Sequence, residues 1–460
     1  MSSLFGSLSI AVRSLLAQEA ALDTTANNIA NVNTPGYSRQ LPILTEAPPL
    51  DTGQISIGNG VEFEGVQSVR DNILDLRIDQ ETQQQNQLKS YVSSMNQVQS
   101  LFNETGGSGL SDVLNQFFNS FQQLADKPTD IPTRQTVISA GQSLASAFQQ
   151  TGQQLNAIQQ GVDQEVGQTV DEINTDIAQL AGLNQQISSL QNSEQTGMLQ
   201  DQQYSVLNSL SQLVDVAVTY ANNGSLTITT TNGVPLVAGG QSFALSTATN
   251  PSTGLQDVFS QGSDVTSSFT GGQLAGLLEA RDQAIPSTIS SLDNLAAGII
   301  NSVNTQSQKG YDLNGTKGGN FFQPVVQSSQ GSNAGAAENM AVAVTDPALI
   351  AASSDGTQGD NANALALANI QNQAVVNGET ATDYYSDLVS TVGNDVSSAT
   401  DEQEAVGLVL TQLQNQQSDV SGVSLDEEAS NLILYQRAYE AAAEVVSAIN
   451  DMTNEVIQTL

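Results

Sequence analysis

The sequence holds no cysteine, no histidine and no tryptophan among its 460 residues. Without Cys and His, a structural zinc site, a thiolate nucleophile and a Ser-His-Asp relay are excluded, and no disulfide can form. A Cys-free chain also cannot be cross-linked wrongly on its way into an oxidising space. Positive charge is scarce: 11 Lys and Arg stand against 47 Asp and Glu, a formal net charge of −36. The cations, from Arg13 to Arg437, are scattered and form no basic patch. So acidic a chain is repelled by phosphate backbones and anionic lipid, and neither nucleic acid nor membrane is an expected partner. Long apolar runs are missing as well. Leu432-Ile433-Leu434-Tyr435 falls far below the roughly 18 residues of a spanning helix. Met1 to Leu16 has no positive n-region and is interrupted by Ser7, Ser9 and Arg13, which is not a Sec-type signal. If the protein leaves the cell, the expected route removes nothing from it.

What is abundant is small or uncharged: Gln, Asn, Ser, Thr, Ala and Gly, with only 13% of residues charged. Apolar spacing then organises the chain. Leu8, Leu15, Leu22 and Ile29 recur every seven residues, with Leu4 and Ala11 in the companion positions of the repeat. At the other end Leu425, Leu432, Tyr439, Val446 and Leu460 keep the same step, interrupted by Thr453, with Tyr435, Ala442, Ile449 and Val456 between them. So narrow a stripe is a coiled-coil seam, and each terminal helix needs a partner, most simply the other terminus. Plain amphipathic helices packed on one domain are the competing reading.

Steps of three and four from Leu155 through Val162, Val166, Val170, Ile173, Ile177 and Leu180 to Leu190 predict one helix from about residue 134. Gly161, Gly167 and Gly182 each weaken it by about 1 kcal/mol relative to Ala, so a break is open. Further helices are expected over 69–102, around Leu114 to Phe121, from Leu274 to Gln306, and from Tyr384 to Leu413. In between, the period changes to two. Val214, Val216, Val218 and Tyr220 lead to Asn222-Asn223-Gly224, and Leu226 and Ile228 lead to Asn232-Gly233, a strong hairpin signal because tight turns there need positive φ. The expected fold is mainly α with a β-rich insert. Residues 1–68 with 418–460 form a terminal coiled-coil unit, 69–213 with 271–417 a helical bundle (loop-rich over 320–380), and 214–270 the insert.

Chemistry-bearing constellations are weak. Asp312-Leu313-Asn314-Gly315-Thr316 faintly resembles a calcium loop, but Lys317 and Gln323 stand where Gly and Glu are needed, and a turn is the better reading. Asp426-Glu427-Glu428 suits the start of a helix, where carboxylates oppose the positive dipole end. No phosphate-binding loop and no nucleophile elbow is present. The informative segment runs from Ala26 through Asn27, Asn28, Asn31 and Asn33 to Pro35, Gly36 and Tyr37. Thr34-Pro35-Gly36 is a turn, with Pro presetting φ and Gly accepting positive φ. Four Asn are more than a helix stop requires.

This segment resembles the N-terminal signature of the bacterial flagellar axial proteins, the family of rod, hook and hook-associated proteins. Residues 421–429 and Tyr435-Gln436-Arg437-Ala438-Tyr439-Glu440-Ala441 are similar to that family's C-terminal helix. Within the family, Gly36-Tyr37-Ser38-Arg39-Gln40 and residues 422–428 resemble its hook–filament junction members; hook and rod members usually show a different run after the turn. The resemblance implies a self-assembling, non-enzymatic adaptor that needs no cofactor or metal. It implies a ring of copies at the distal end of the hook, with hook protein on one side and the next junction protein and flagellin filament on the other. It also implies unfolded export to the extracellular flagellum, with a dedicated cytosolic chaperone on the C-terminal helix. Leu8, Leu15, Leu22, Ile29, Leu432, Tyr439 and Val446 are then expected on the inner tube wall. The rivals are a hook or distal-rod protein, a secreted acidic adhesin or surface-layer protein that binds calcium, and a paired-carboxylate hydrolase.

Overall fold

The computed structural model describes residues 2–34, 36–51, 56–103, 109–190, 196–221, 223–325 and 333–459, without the side chains of 2–5, 50–51, 56–57, 196 and 459. Pro35, Asn222 and Leu460, and the side chain of Leu4, lie outside the described residues.

The chain opens with helix α1 (Ser2–Ala30) and closes with α10 (Leu425–Thr459). After α1, strand β1 (Gln40–Glu46) pairs antiparallel with β4 (Val61–Ser68), and the short β2 (Leu50–Asp51) and β3 (Ser56–Ile57), which lie between them in the chain, pair with each other. Helices α2 (Asn72–Leu101), α3 (Leu110–Asp126), α4 (Ile131–Ser189) and α5 (Thr196–Leu213) follow. Gly161, Gly167 and Gly182 leave α4 unbroken, and its 59 residues span roughly 90 Å. The apolar stripe explains this: Val162, Val166, Val170, Ile173, Ile177 and Leu180 are all buried, and that packing outweighs three weak helix formers. Asp130 caps the start, its carboxylate accepting the Thr133 N–H at 3.0 Å.

The insert holds two small antiparallel sheets. The first runs in order through β5 (Ala217–Tyr220), β6 (Leu226–Thr229), β7 (Pro235–Ala238) and β8 (Gln241–Ser242). The second places β10 (Gln256–Ser260) between β9 (Leu245–Thr249) and β11 (Ser263–Asp264). Gly224 and Gly233 sit at the expected turns with φ of 79° and 84°, a region that favours glycine. Val214 and Val216, expected in the first strand, are instead buried in the link before it. Helix α6 (Gly272–Glu279) passes through a π-helical turn at Ala280–Ala284 into α7 (Ile285–Ser307). A stretch poor in regular structure carries α8 (Ala362–Ala368), and α9 (Ala381–Ser421) then returns along α2.

One apolar core joins α2 to α9 and the insert. At its centre Phe117 meets Phe321 at 5.6 Å and Phe322 at 5.4 Å, between ring centroids. The buried residues of α1 and α10 belong to no part of it. Leu74 and Ile78 of α2 with Leu410 and Leu413 of α9 form a separate small cluster.

Candidate functional site

Helix α1 lies along α10, with its C-terminal end against the start of α10, so the two run antiparallel. The fully buried line of α1 is made of small residues: Ala11, Ala17, Ala21, Thr24, Thr25 and Asn28. Small side chains let the helix approach both α10 and the β1/β4 hairpin. Leu8, Leu15, Leu22 and Ile29 flank this line and are half-buried. On α10, Glu428, Ala442 and Ile449 are buried, and Leu432, Tyr435, Val446 and Val456 are half-buried. The strict seven-residue step is thus corrected within one chain. Leu425 is 53% exposed and Tyr439 37% exposed. Leu425 opens α10 a turn ahead of Glu428, and Ala438 takes the inward place that Tyr439 was expected to fill. Val12 and Leu16 of α1, and Ile433, Leu434, Val445, Met452 and Ile457 of α10, also face outward.

The Asn-rich turn carries the most tightly organised geometry. Asn27 and Asn31 close the helix end: the Asn31 side-chain amide donates to the Asn27 carbonyl at 3.0 Å, and Thr34 donates its hydroxyl to Asn31 at 3.1 Å. Asn33 is exposed, and Gly36 has φ of 78°, as the turn requires. Asn28 is different in kind. It is 1% exposed and uses its whole hydrogen-bonding capacity. Its Oδ1 accepts the Gln40 N–H at 2.9 Å and the Tyr37 hydroxyl at 2.8 Å. Its Nδ2 donates to the Gln40 carbonyl at 2.8 Å and to Glu428 Oε2 at 3.1 Å. One amide thereby ties the end of α1, the first residue of β1 and the first turn of α10. The reversed amide would set donor against donor at Gln40, so the network fixes its orientation.

Arg39 completes the tie. Its Nε donates to Glu428 Oε1 at 2.8 Å and its NH1 to Glu427 Oε2 at 2.5 Å, while its backbone N–H donates to the Ser421 carbonyl at 2.9 Å. Glu427 and Glu428, expected only to serve their own helix terminus, reach across to the N-terminal segment. Burial, then the Asp201 and Glu428 charges, push the Tyr37 phenol up to about 12, so it stays a donor to Asn28.

A second polar hub lies behind the first. Arg70 donates to the Gly36 carbonyl and to Asp201, each at 3.1 Å, and lies 4.1 Å over the Tyr204 ring. Gln40 and Ser68 also donate to Asp201. Gln417 of α9 donates to Asp75 at 2.5 Å and to the Tyr204 hydroxyl at 3.0 Å. Among the described residues no group of three or more Asp or Glu side chains is placed to hold a metal ion. Asp312 accepts the N–H groups of Asn314 and Thr316 at 2.9 and 2.8 Å, the geometry of a turn. No helix among the described residues is long and apolar enough to cross a membrane.

The chain is 31% identical to flagellar hook-associated protein 1 of Bacillus subtilis, over 99% of this chain and 98% of that protein. It belongs to the flagellar hook-associated protein 1 family. The same protein of Escherichia coli is 29% identical, over 97% of this chain and 98% of that one. The family model of the flagellar hook-associated protein FlgK helical domain matches residues 95–322. The model of flagella basal body rod proteins matches 8–37, and that of the FlgEFG rod protein C-terminal region matches 415–459. The segments shared with rod proteins are thus the helices joined at Asn28 and Glu428. The solved flagellar hook junction protein FlgK of Burkholderia pseudomallei shares the fold, with a TM-score of 0.67 over 75% of this chain and all of that one, at 21% identity.

Proposed function

We propose that this protein is the structural adaptor that joins the flagellar hook to the filament at the hook's distal end. The observation that carries this reading is end-to-end likeness to flagellar hook-associated protein 1 in a chain whose two termini are built into one unit. The rod-type match is confined to the ends, while the hook-associated match fills the middle, which favours a junction member over a hook or distal-rod protein.

The mode of work follows from the exposed apolar residues of α1 and α10. Copies pack side by side as a ring through these helices, with Leu8, Leu15, Leu22, Ile29, Leu432 and Val446 repacking between subunits and Leu425, Tyr439, Ile433 and Leu434 becoming covered. Three units divide the labour: 1–68 with 418–460 polymerises, 69–213 with 271–417 stiffens the subunit, and 214–270 is carried on that body, sharing its core. The ring meets hook protein below, and the next junction protein and the flagellin side above. The protein reaches this place unfolded through the flagellar channel, keeps its N terminus, and is held beforehand by a chaperone on α10. A Cys-free chain suits that passage. It performs no catalysis. Adding the purified protein to bare hooks tests the reading: electron microscopy should show the hook tips capped, and tips left bare would contradict it.

A further inference from the structure

Asp79 lies one turn beyond Asp75 on α2. It is 2% exposed, and neither carboxylate oxygen accepts a hydrogen bond. Asn208 and Ser211 of α5 face it and ease its ionised form without reaching full hydrogen-bond geometry, and Ser211 gives its hydroxyl to the Asn208 carbonyl at 2.8 Å. The titratable and charged groups around it are Asp75 on its own helix, Arg70 ahead of that helix, Tyr204 on α5 and Tyr220 on β5. Arg70 is already engaged, with Asp201 at 3.1 Å and Asp75 at 3.6 Å. One cation therefore serves three carboxylates withdrawn from water.

The setting is mechanical. Arg70 holds the Gly36 carbonyl of the turn that follows α1, and Gln417 near the end of α9 holds Asp75. Leu74 and Ile78 of α2 pack on Leu410 and Leu413 of α9 in a small cluster of their own, and Leu207 and Leu210 of α5 belong to the main core. No buried residue of α1 or α10 belongs to the main core, so the joint leans on polar ties such as that of Arg70 to Gly36, and such a connection opens more readily than the body it joins.

We propose that Asp79, with Asp75 and Arg70, is a proton-dependent catch at the joint between the α1–α10 unit and the helical body. With Asp79 protonated, Arg70 balances its two remaining acids and the joint holds one angle. With Asp79 ionised, an unpaired buried charge draws water between α2 and α5, and the joint swings more widely. The direction follows from proton linkage. Burial, then the Asp75 charge, push the Asp79 carboxyl up to about 7. The folded protein holds this proton more tightly than the unfolded chain, so stability falls as pH rises from the ordinary carboxylate range through about 7, and stays low above it.

The absence of native cysteine allows a direct test with two spin labels, at Glu444→Cys on α10 and Gln186→Cys on α4, both exposed positions. The distance distribution should be narrow near pH 5.5 and broaden toward pH 8.5 with a midpoint of about 7. Asp79→Asn should keep it narrow throughout, and Asp75→Asn should lower the midpoint by relieving like-charge repulsion. A wild-type distribution that does not change with pH overturns the proposal, whatever the variants do. Broadening that survives unchanged in Asp79→Asn overturns it as well.

Discussion

Asn28 and Glu428 lie 400 residues apart in the chain and meet at 3.1 Å. Through this contact the end of the first helix and the start of the last become one corner, with Arg39 laid across it. The proposed stacking of copies through these two helices requires them to be held in register, and the corner fixes that register within the subunit.

Asn28→Ala removes four hydrogen bonds and leaves the buried Gln40 N–H and carbonyl without partners. We expect a loss of about 2 kcal/mol, confined to the corner. Hydrogen exchange in the last turns of α1 and the first of α10 should speed up roughly thirtyfold, while exchange in α4 stays as it was.

Arg39→Ala and Glu428→Gln should be strongly non-additive. Charge-assisted hydrogen bonds contribute about 1.5–3 kcal/mol, and a double-mutant cycle on the terminal unit should return coupling of that size. Coupling near zero would make the pair a surface contact of no consequence.

Gly276 lies where α6 crosses α2, and a Cβ there would stand 2.0 Å from the Gln87 carbonyl oxygen and 2.2 Å from Ser90 Oγ. Backbone cannot yield as a flexible side chain does. Gly276→Ala should cost about 1–3 kcal/mol in thermal or denaturant unfolding, despite being a favourable exchange for an isolated helix.

Assembly should separate from folding. Leu434→Asp, at a site 61% exposed, should shift the unfolding midpoint by no more than about 0.5 kcal/mol equivalent, yet abolish ring formation. Leu15→Asp and Val446→Asp, at half-buried positions, should loosen the terminal pair, spare the helical body and also stop assembly. Normal filaments in these strains would move the interface elsewhere.

Tyr37 supplies a pH signature for the corner. Its phenol is held neutral up to about 12, against an ordinary value of 10.0, so its contribution is complete below pH 10 and is lost as pH rises toward 12. Tyr37→Phe should remove one high-pH phenol from the absorbance titration and cost about 1 kcal/mol at neutral pH.

The parts legible in the sequence were those with a local physical signature. The stripe from Leu155 to Leu190 announces α4, because three- and four-residue steps bury one face of a helix. Asn232-Gly233 announces the turn between β6 and β7. The Asn-rich turn stood out, and the structure explains Asn28, Asn27 and Asn31 by their bonds. The β1/β4 hairpin went unread because Pro42 and Gly65 interrupt its alternation and a register shift follows Ile43. Arg39 and Arg70 went unread as hubs because their partners lie at Glu428 and Asp201, and no spacing rule links residues so far apart. Glu428 already had a sufficient local reason to be acidic, which concealed the distant one.

The central claim is that this protein makes the hook–filament joint, and the direct measurement is on cells that lack it. Electron microscopy should show hooks without filaments, filament subunits should accumulate in the medium, and the intact gene should restore attached filaments. Filaments still fixed to the hooks of such cells would contradict the account.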